Sequence, residues 1–214
     1  MILLFKYKAD CDERLKMSSE RKHIICFGDS NTGGFDPRSY FGDNYPGDIP
    51  WIRQLEKSGY EITDLGLNGR QIPSNEAELS NAYEIIRMHL PADLMTVMLG
   101  TNDLLMRSGS KAEFAASRMK KFMEYIRSRL PELRILLIGP VGLERGEWGL
   151  DRNHLEQSAR LSGLYRHIAD EMEVEFADAS SWNVDIAFDG VHFSEAGHKI
   201  FAEELKNTLE ELGL

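Results

Sequence analysis

The chain has 214 residues, of which 42% are hydrophobic and 28% charged, and a formal net charge of -10. That length suits one domain with a substantial single core. The acidic balance disfavours non-specific association with nucleic acid or anionic membranes and leaves small neutral molecules open as ligands.

At the amino terminus, Met1–Phe5 is too short an apolar run for a signal peptide or a membrane span, so a cytoplasmic protein is expected. Residues 1–20 carry mixed charges without a period and read as an extension or an added edge element, and Met17 offers a second start. Residues 21–214 read as one domain. The two cysteines, Cys11 and Cys26, give no disulfide framework and no zinc spacing. Cys26 belongs to a core strand, where a free cysteine behaves as a small hydrophobe.

That strand, Ile24-Ile25-Cys26-Phe27, stops abruptly at Gly28-Asp29-Ser30-Asn31-Thr32-Gly33-Gly34. A buried parallel strand ending this way delivers a side chain to the carboxyl edge of a sheet, where open α/β folds bind ligands. Ser30 stands there as a nucleophile; the plainer alternative is that Ser30 or Thr32 caps a helix. Residues 35–50, rich in Gly, Pro, Asp and aromatics, read as a long loop over the site. Within and beside it, Tyr40, Phe41, Tyr45 and Trp51 either wall a pocket or anchor the loop to the core.

Further on, 51–57 reads as a helix with Trp51, Ile52 and Leu55 on one face. Residues 60–65 read as a strand, followed by the glycine-bearing turn Gly66-Leu67-Asn68-Gly69-Arg70. A helix over 77–89 closes at Pro91. The nearly continuous apolar run Leu94–Leu99 is a strand covered on both faces and ends in Gly100-Thr101-Asn102-Asp103. A long amphipathic helix over 111–130 buries Phe114, Met119, Phe122, Tyr125 and Ile126. A fourth strand covers 134–138, and a glycine-bearing loop leads into a helix over 151–172. After a short strand at 174–178 comes Asp189-Gly190-Val191-His192-Phe193, then a last helix capped by Ser194. The alternation of strand and helix predicts a single doubly wound α/β domain with a parallel sheet.

Polar residues gather after the strands, at one sheet edge. A serine attacks an acyl carbon only when a base removes its proton, and His192 suits that task. Asp189 is available to fix the histidine tautomer and stabilise the imidazolium. The amides of Ser30 and Gly69 and the side-chain amide of Asn102 suit an oxyanion. His23, His89, His154, His167 and His198 read as helix-surface, edge or flanking residues. Of these His198 is the nearest rival base, but no carboxylate stands three residues before it.

The blocks Gly28-Asp29-Ser30-Asn31-Thr32, Gly66-Leu67-Asn68-Gly69-Arg70, Gly100-Thr101-Asn102-Asp103 and Asp189-Gly190-Val191-His192 together resemble the four blocks of the SGNH (GDSL) hydrolase family. The resemblance spans nearly the whole chain from residue 22. It implies a three-layer α/β/α fold with a flavodoxin-like five-stranded parallel sheet, and ester hydrolysis through an acyl-serine without metal or other cofactor. It also implies Ser30, Asp189 and His192 as the triad, and Ser30, Gly69 and Asn102 as the oxyanion hole. Asp29, Asn31, Trp51 and Arg70 are further candidates for contact with substrate. For Asp29 and Arg70 bracing of the nucleophile and oxyanion loops is the alternative, and Asp103 is expected to bond within its own turn.

Cys-Phe-Gly-Asp-Ser, Gly-Leu-Asn-Gly-Arg and Met-Leu-Gly-Thr-Asn-Asp are most similar to the arylesterase-like branch, which takes short acyl esters, acetate and aryl esters among them. That branch suggests a small-molecule ester as partner and self-association into a homo-oligomer. Asn31 in place of an apolar residue, and Gly33 where tryptophan is common, imply a more open or more polar pocket. Three rivals remain: a carbohydrate O-acetylesterase of the same family, a phosphate-cradling binding module, and a metal site built from Asp29, Asp103, Asp189 and His192.

Overall fold

Alternate residues of the central strands enter opposite apolar layers, and this sets the architecture. A computed structural model describes residues 21–106 and 109–214; the extension over residues 1–20, with Cys11, lies outside the described residues. Five strands run β1 (His23–Gly28), β2 (Glu61–Gly66), β3 (Leu94–Met98), β4 (Ile135–Gly139) and β5 (Glu175–Asp178). Seven α-helices accompany them among the described residues: α1 (Ser30–Gly33), α2 (Trp51–Lys57), α3 (Glu76–Arg87), α4 (Thr101–Leu105), α5 (Ala112–Arg129), α6 (Arg152–Met172) and α7 (Glu195–Glu211).

The sheet is parallel throughout, in the order β2-β1-β3-β4-β5. Ile25, Phe27, Met95, Val97, Ile135 and Leu137 point to a layer formed by α3, α5 and α6. Ile24, Cys26, Leu94, Met98, Leu136 and Ile138 point the other way, onto Trp51, Ile52 and Leu55 of α2 and Phe201, Leu205 and Leu209 of α7. Burial on both faces is why these strands read as unbroken apolar runs. The chain goes from β1 outward to β2, then returns to β3 on the other side of β1. This reversal opens a crevice at the carboxyl ends of β1 and β3.

Helix ends follow local chemistry. Asn75 accepts from the Glu78 amide while the Glu78 side chain returns to the Asn75 amide, so α3 starts one residue before the expected Ala77. The glycine-bearing turns after β1 and β3 wind into the short helices α1 and α4. Phe114, expected in the buried stripe of α5, is half exposed, while the smaller Ala112, Ala115 and Ala116 take the inward positions at that end. No helix among the described residues is long and apolar enough to cross a membrane.

Candidate active site

Ser30 is the first residue of α1, where the backbone N–H has no intrahelical acceptor. Asp29 caps this helix: its Oδ1 accepts from the Asn31 amide at 3.0 Å. The Ser30 hydroxyl lies 3.1 Å from His192 Nε2, and His192 Nδ1 lies 2.5 Å from Asp189 Oδ2. An ionised carboxylate only accepts, so Nδ1 carries the proton and Nε2 presents its lone pair to the Ser30 hydroxyl. Asp189 Oδ1 accepts the amides of Val191 and His192, each at 3.0 Å. Burial alone would raise the Asp189 carboxyl, but the His192 ring and these two amides outweigh it, and its pKa lies below the usual value.

Asn102 is the second residue of α4 and lies beside the glycine turn that follows β2. Its Nδ2 donates to the Arg70 carbonyl at 3.1 Å, and the second hydrogen of that amide has no acceptor among the described residues. Gly69 holds φ +73°, a left-handed conformation that other residues adopt at a cost. Gly69, Asn102, Ser30 and His192 share a cleft of about 480 Å³ with the apolar side chains Phe35, Leu105, Met106, Trp148 and Leu150. Phe35 and Trp148 flank the His192 ring, with centroids at 4.5 and 5.4 Å. A larger, shallower depression of about 720 Å³ between α2 and α7 contains none of these groups.

The four residues expected against the substrate hold the cleft from behind instead, and none of them lines it. Asp29 is buried, and burial pushes its carboxyl up to about 6. Asn31 uses both ends of its amide on the loop carrying His192: Nδ2 donates to the Val191 carbonyl at 3.1 Å, and Oδ1 accepts the Phe193 amide at 2.9 Å. The polar residue after serine is therefore a clip between α1 and the loop carrying His192, not a polar pocket wall. Trp51, only 1% exposed, donates from Nε1 to the Asn31 carbonyl at 2.8 Å. Arg70 lies over the Phe27 ring at 4.3 Å and donates to the Gly28 carbonyl at 2.9 Å and to the Leu65 carbonyl.

The aromatic loop divides similarly. Tyr45 is buried and its hydroxyl donates to the Phe193 carbonyl, whereas Tyr40 and Phe41 are 93% and 86% exposed and pack edge-on against each other. Only Phe35 of this loop reaches the cleft. Asp103 reaches beyond its own turn to the Ile72 amide at 3.0 Å and to Arg118 Nη1 at 2.8 Å. Cys26 is fully buried and its thiol is pushed up to about 12 by burial. Among the described residues, no three His, Cys, Asp or Glu side chains gather into a metal-binding group.

Leu105, Met106, Trp148 and Leu150 of the cleft were not assigned from the sequence, and His154 was read there as a surface, edge or flanking residue. Trp148 sits in the loop before α6, where nothing local announces it. His154 also lines the cleft, and its Nδ1 lies 2.8 Å from Asp151 Oδ1. Here a signal was present: Asp151 and His154 repeat the three-residue spacing of Asp189 and His192.

Residues 26–200 match the GDSL-like lipase/acylhydrolase family. The chain belongs to that family. A carbohydrate acetylesterase from Sinorhizobium meliloti superposes with a TM-score of 0.79 at 26% identity, covering 90% of this chain and 100% of that one. A protein described as a candidate arylesterase from Agrobacterium tumefaciens gives 0.77 at 28% identity, covering 89% and 99%. A GDSL esterase/lipase of Arabidopsis thaliana is 25% identical over 114 residues, 45% of this chain and about half (47%) of that relative. The GDSL hydrolase described here is thus a carboxylic ester hydrolase on a five-stranded α/β/α fold.

Proposed function

We propose that the enzyme hydrolyses short-chain acyl esters, acetate and aryl esters among them, through an acyl intermediate on Ser30. The observation that carries this reading is the aligned chain from the Ser30 hydroxyl through His192 to Asp189, opening into a cleft of about 480 Å³. Attack of Ser30 Oγ on the ester carbonyl transfers the hydroxyl proton to His192 Nε2, and Asp189 stabilises the imidazolium. The carbonyl oxygen takes the negative charge and accepts from the amides of Ser30 and Gly69 and the unused Asn102 hydrogen. Collapse breaks the ester C–O bond, and His192 returns its proton to the departing alkoxide. Water then attacks the acyl-serine with His192 again as base, releasing the acid and restoring the Ser30 hydroxyl.

The small cleft with Leu105 and Met106 in its wall favours short acyl groups. A carbohydrate O-acetylesterase is the second reading, favoured by the polar His154 sharing the cleft wall with Met106 and Leu150 and by the similarity to the Sinorhizobium enzyme. The test is hydrolysis of p-nitrophenyl acetate, butyrate and octanoate with EDTA present, by wild type and Ser30→Ala. The expected result is hydrolysis that falls with chain length, survives EDTA and disappears in the variant. Unchanged hydrolysis in Ser30→Ala would contradict the nucleophile assignment.

A further inference from the structure

A second Asp–His pair stands at the cleft, with His154 in its wall and Asp151 bonded to that ring. Asp151 caps α6, its Oδ1 accepting the His154 amide at 3.0 Å, and the same oxygen lies 2.8 Å from His154 Nδ1. The His154 side chain is 17% exposed, so most of the ring is packed and the remainder meets the cleft. With Nδ1–H donated to the carboxylate, the neutral ring has a lone pair at Nε2. That nitrogen makes no hydrogen bond among the described residues, and of the side chains that share the cleft wall with His154, Leu105, Met106 and Leu150 carry no hydrogen-bond donor.

The geometry points to His154 as a specificity-determining residue that accepts a hydrogen bond from a free hydroxyl on the alcohol half of the ester, with Asp151 as its positioning residue. This rests on the esterase reading and sharpens it: the preferred substrates are acyl esters of polyhydroxy alcohols that keep a free hydroxyl near the ester. A plain alkyl alcohol leaves Nε2 unpaired in an apolar wall once it displaces water, which counts against it. The arrangement does not require His154 to move a proton in the reaction. It selects by leaving-group chemistry alone.

The test compares glycerol monoacetate with n-propyl acetate, leaving groups of similar length that differ in hydroxyls, alongside p-nitrophenyl acetate. One hydrogen bond corresponds to a preference of about five- to tenfold in kcat/KM for glycerol monoacetate in the wild type. In His154→Phe, which keeps a ring but no acceptor, the ratio of the two should fall to about one. Asp151→Ser still caps α6 but frees the imidazole, and it should lower the same ratio in part. Either variant suffices if the other fails to fold, because the readout is a ratio rather than an absolute rate. A wild-type ratio near one, or a ratio unmoved in the variants while both rates fall together, would overturn the assignment and leave the esterase reading standing. Absence of hydrolysis for all three esters in the wild type would contradict the esterase reading and this inference with it.

Discussion

Asn31 shows how one side chain joins residues distant in sequence at the site. Its amide spans from the start of α1 to the backbone on both sides of His192, at Val191 and Phe193. Asn31→Ala leaves a buried amide and a buried carbonyl without partners, at a cost of about 1–3 kcal/mol each. A fall in urea midpoint and in kcat for p-nitrophenyl acetate should therefore appear together, and an unchanged kcat would show that the clip does not position His192. For Asp189→Asn the expected loss is larger, on the order of 10⁴ in kcat, because the substituted amide favours the wrong histidine tautomer. Steady-state kinetics on purified variant protein checks it. The meeting of Ser30, His192 and Asp189 was legible because each follows a strand or precedes a capped helix at short range. The role of Asn31 was not, since its partners lie about 160 positions away and no local pattern encodes them.

Between elements, the loop carrying Gly69 depends on a buried ion pair. Arg118 of α5 donates from Nη2 to the Ile72 carbonyl at 2.6 Å, while Asp103 of α4 accepts the Ile72 amide and meets Arg118. Both charges are nearly sealed from solvent, and burial pushes the Asp103 carboxyl up to about 6. Removing one partner from such a pair strands the other charge and typically costs about 3–5 kcal/mol. Arg118→Met should show a loss of that order in urea unfolding, and Asp103→Asn in the same protein should restore part of it. Equal losses in the single and double variants would contradict the coupling. Strand and helix order were readable from apolar period, and the missed details are tertiary: Phe114 yields its inward place to alanines, and Trp51 turns to the core. Amphipathic period cannot separate a core anchor from a pocket wall when both faces of the neighbouring sheet are covered.

Over the whole molecule, buried titratable groups make stability depend on pH in opposing senses. His198 is fully buried, its Nε2 has no hydrogen-bond partner among the described residues, and burial lowers its pKa to about 4. Its contribution is complete above the unfolded value of 6.5 and is lost as pH falls toward 4. Asp29, raised from 3.8 to about 6, behaves oppositely: its contribution is complete below 3.8 and lost as pH rises through 6. Asp29→Asn keeps a capping side chain but removes the charge, so relative to wild type it should gain up to about 3 kcal/mol between about pH 4 and pH 8. The same difference in unfolding free energy at both pH values would contradict the buried charge. The five parallel strands and the shared edge were legible because alternating strands and helices leave few right-handed arrangements. Side-chain contacts between those edges arise only when the crossovers bring them together.

The most direct measurement is covalent labelling by diethyl p-nitrophenyl phosphate, which phosphorylates an activated serine and releases p-nitrophenolate. Peptide mapping by mass spectrometry then locates the modified residue. The account predicts one diethylphosphoryl group on the peptide containing Ser30, with loss of ester hydrolysis in step with labelling and no such adduct in Ser30→Ala. Labelling at another serine, or hydrolysis that persists after Ser30 is fully modified, would contradict it.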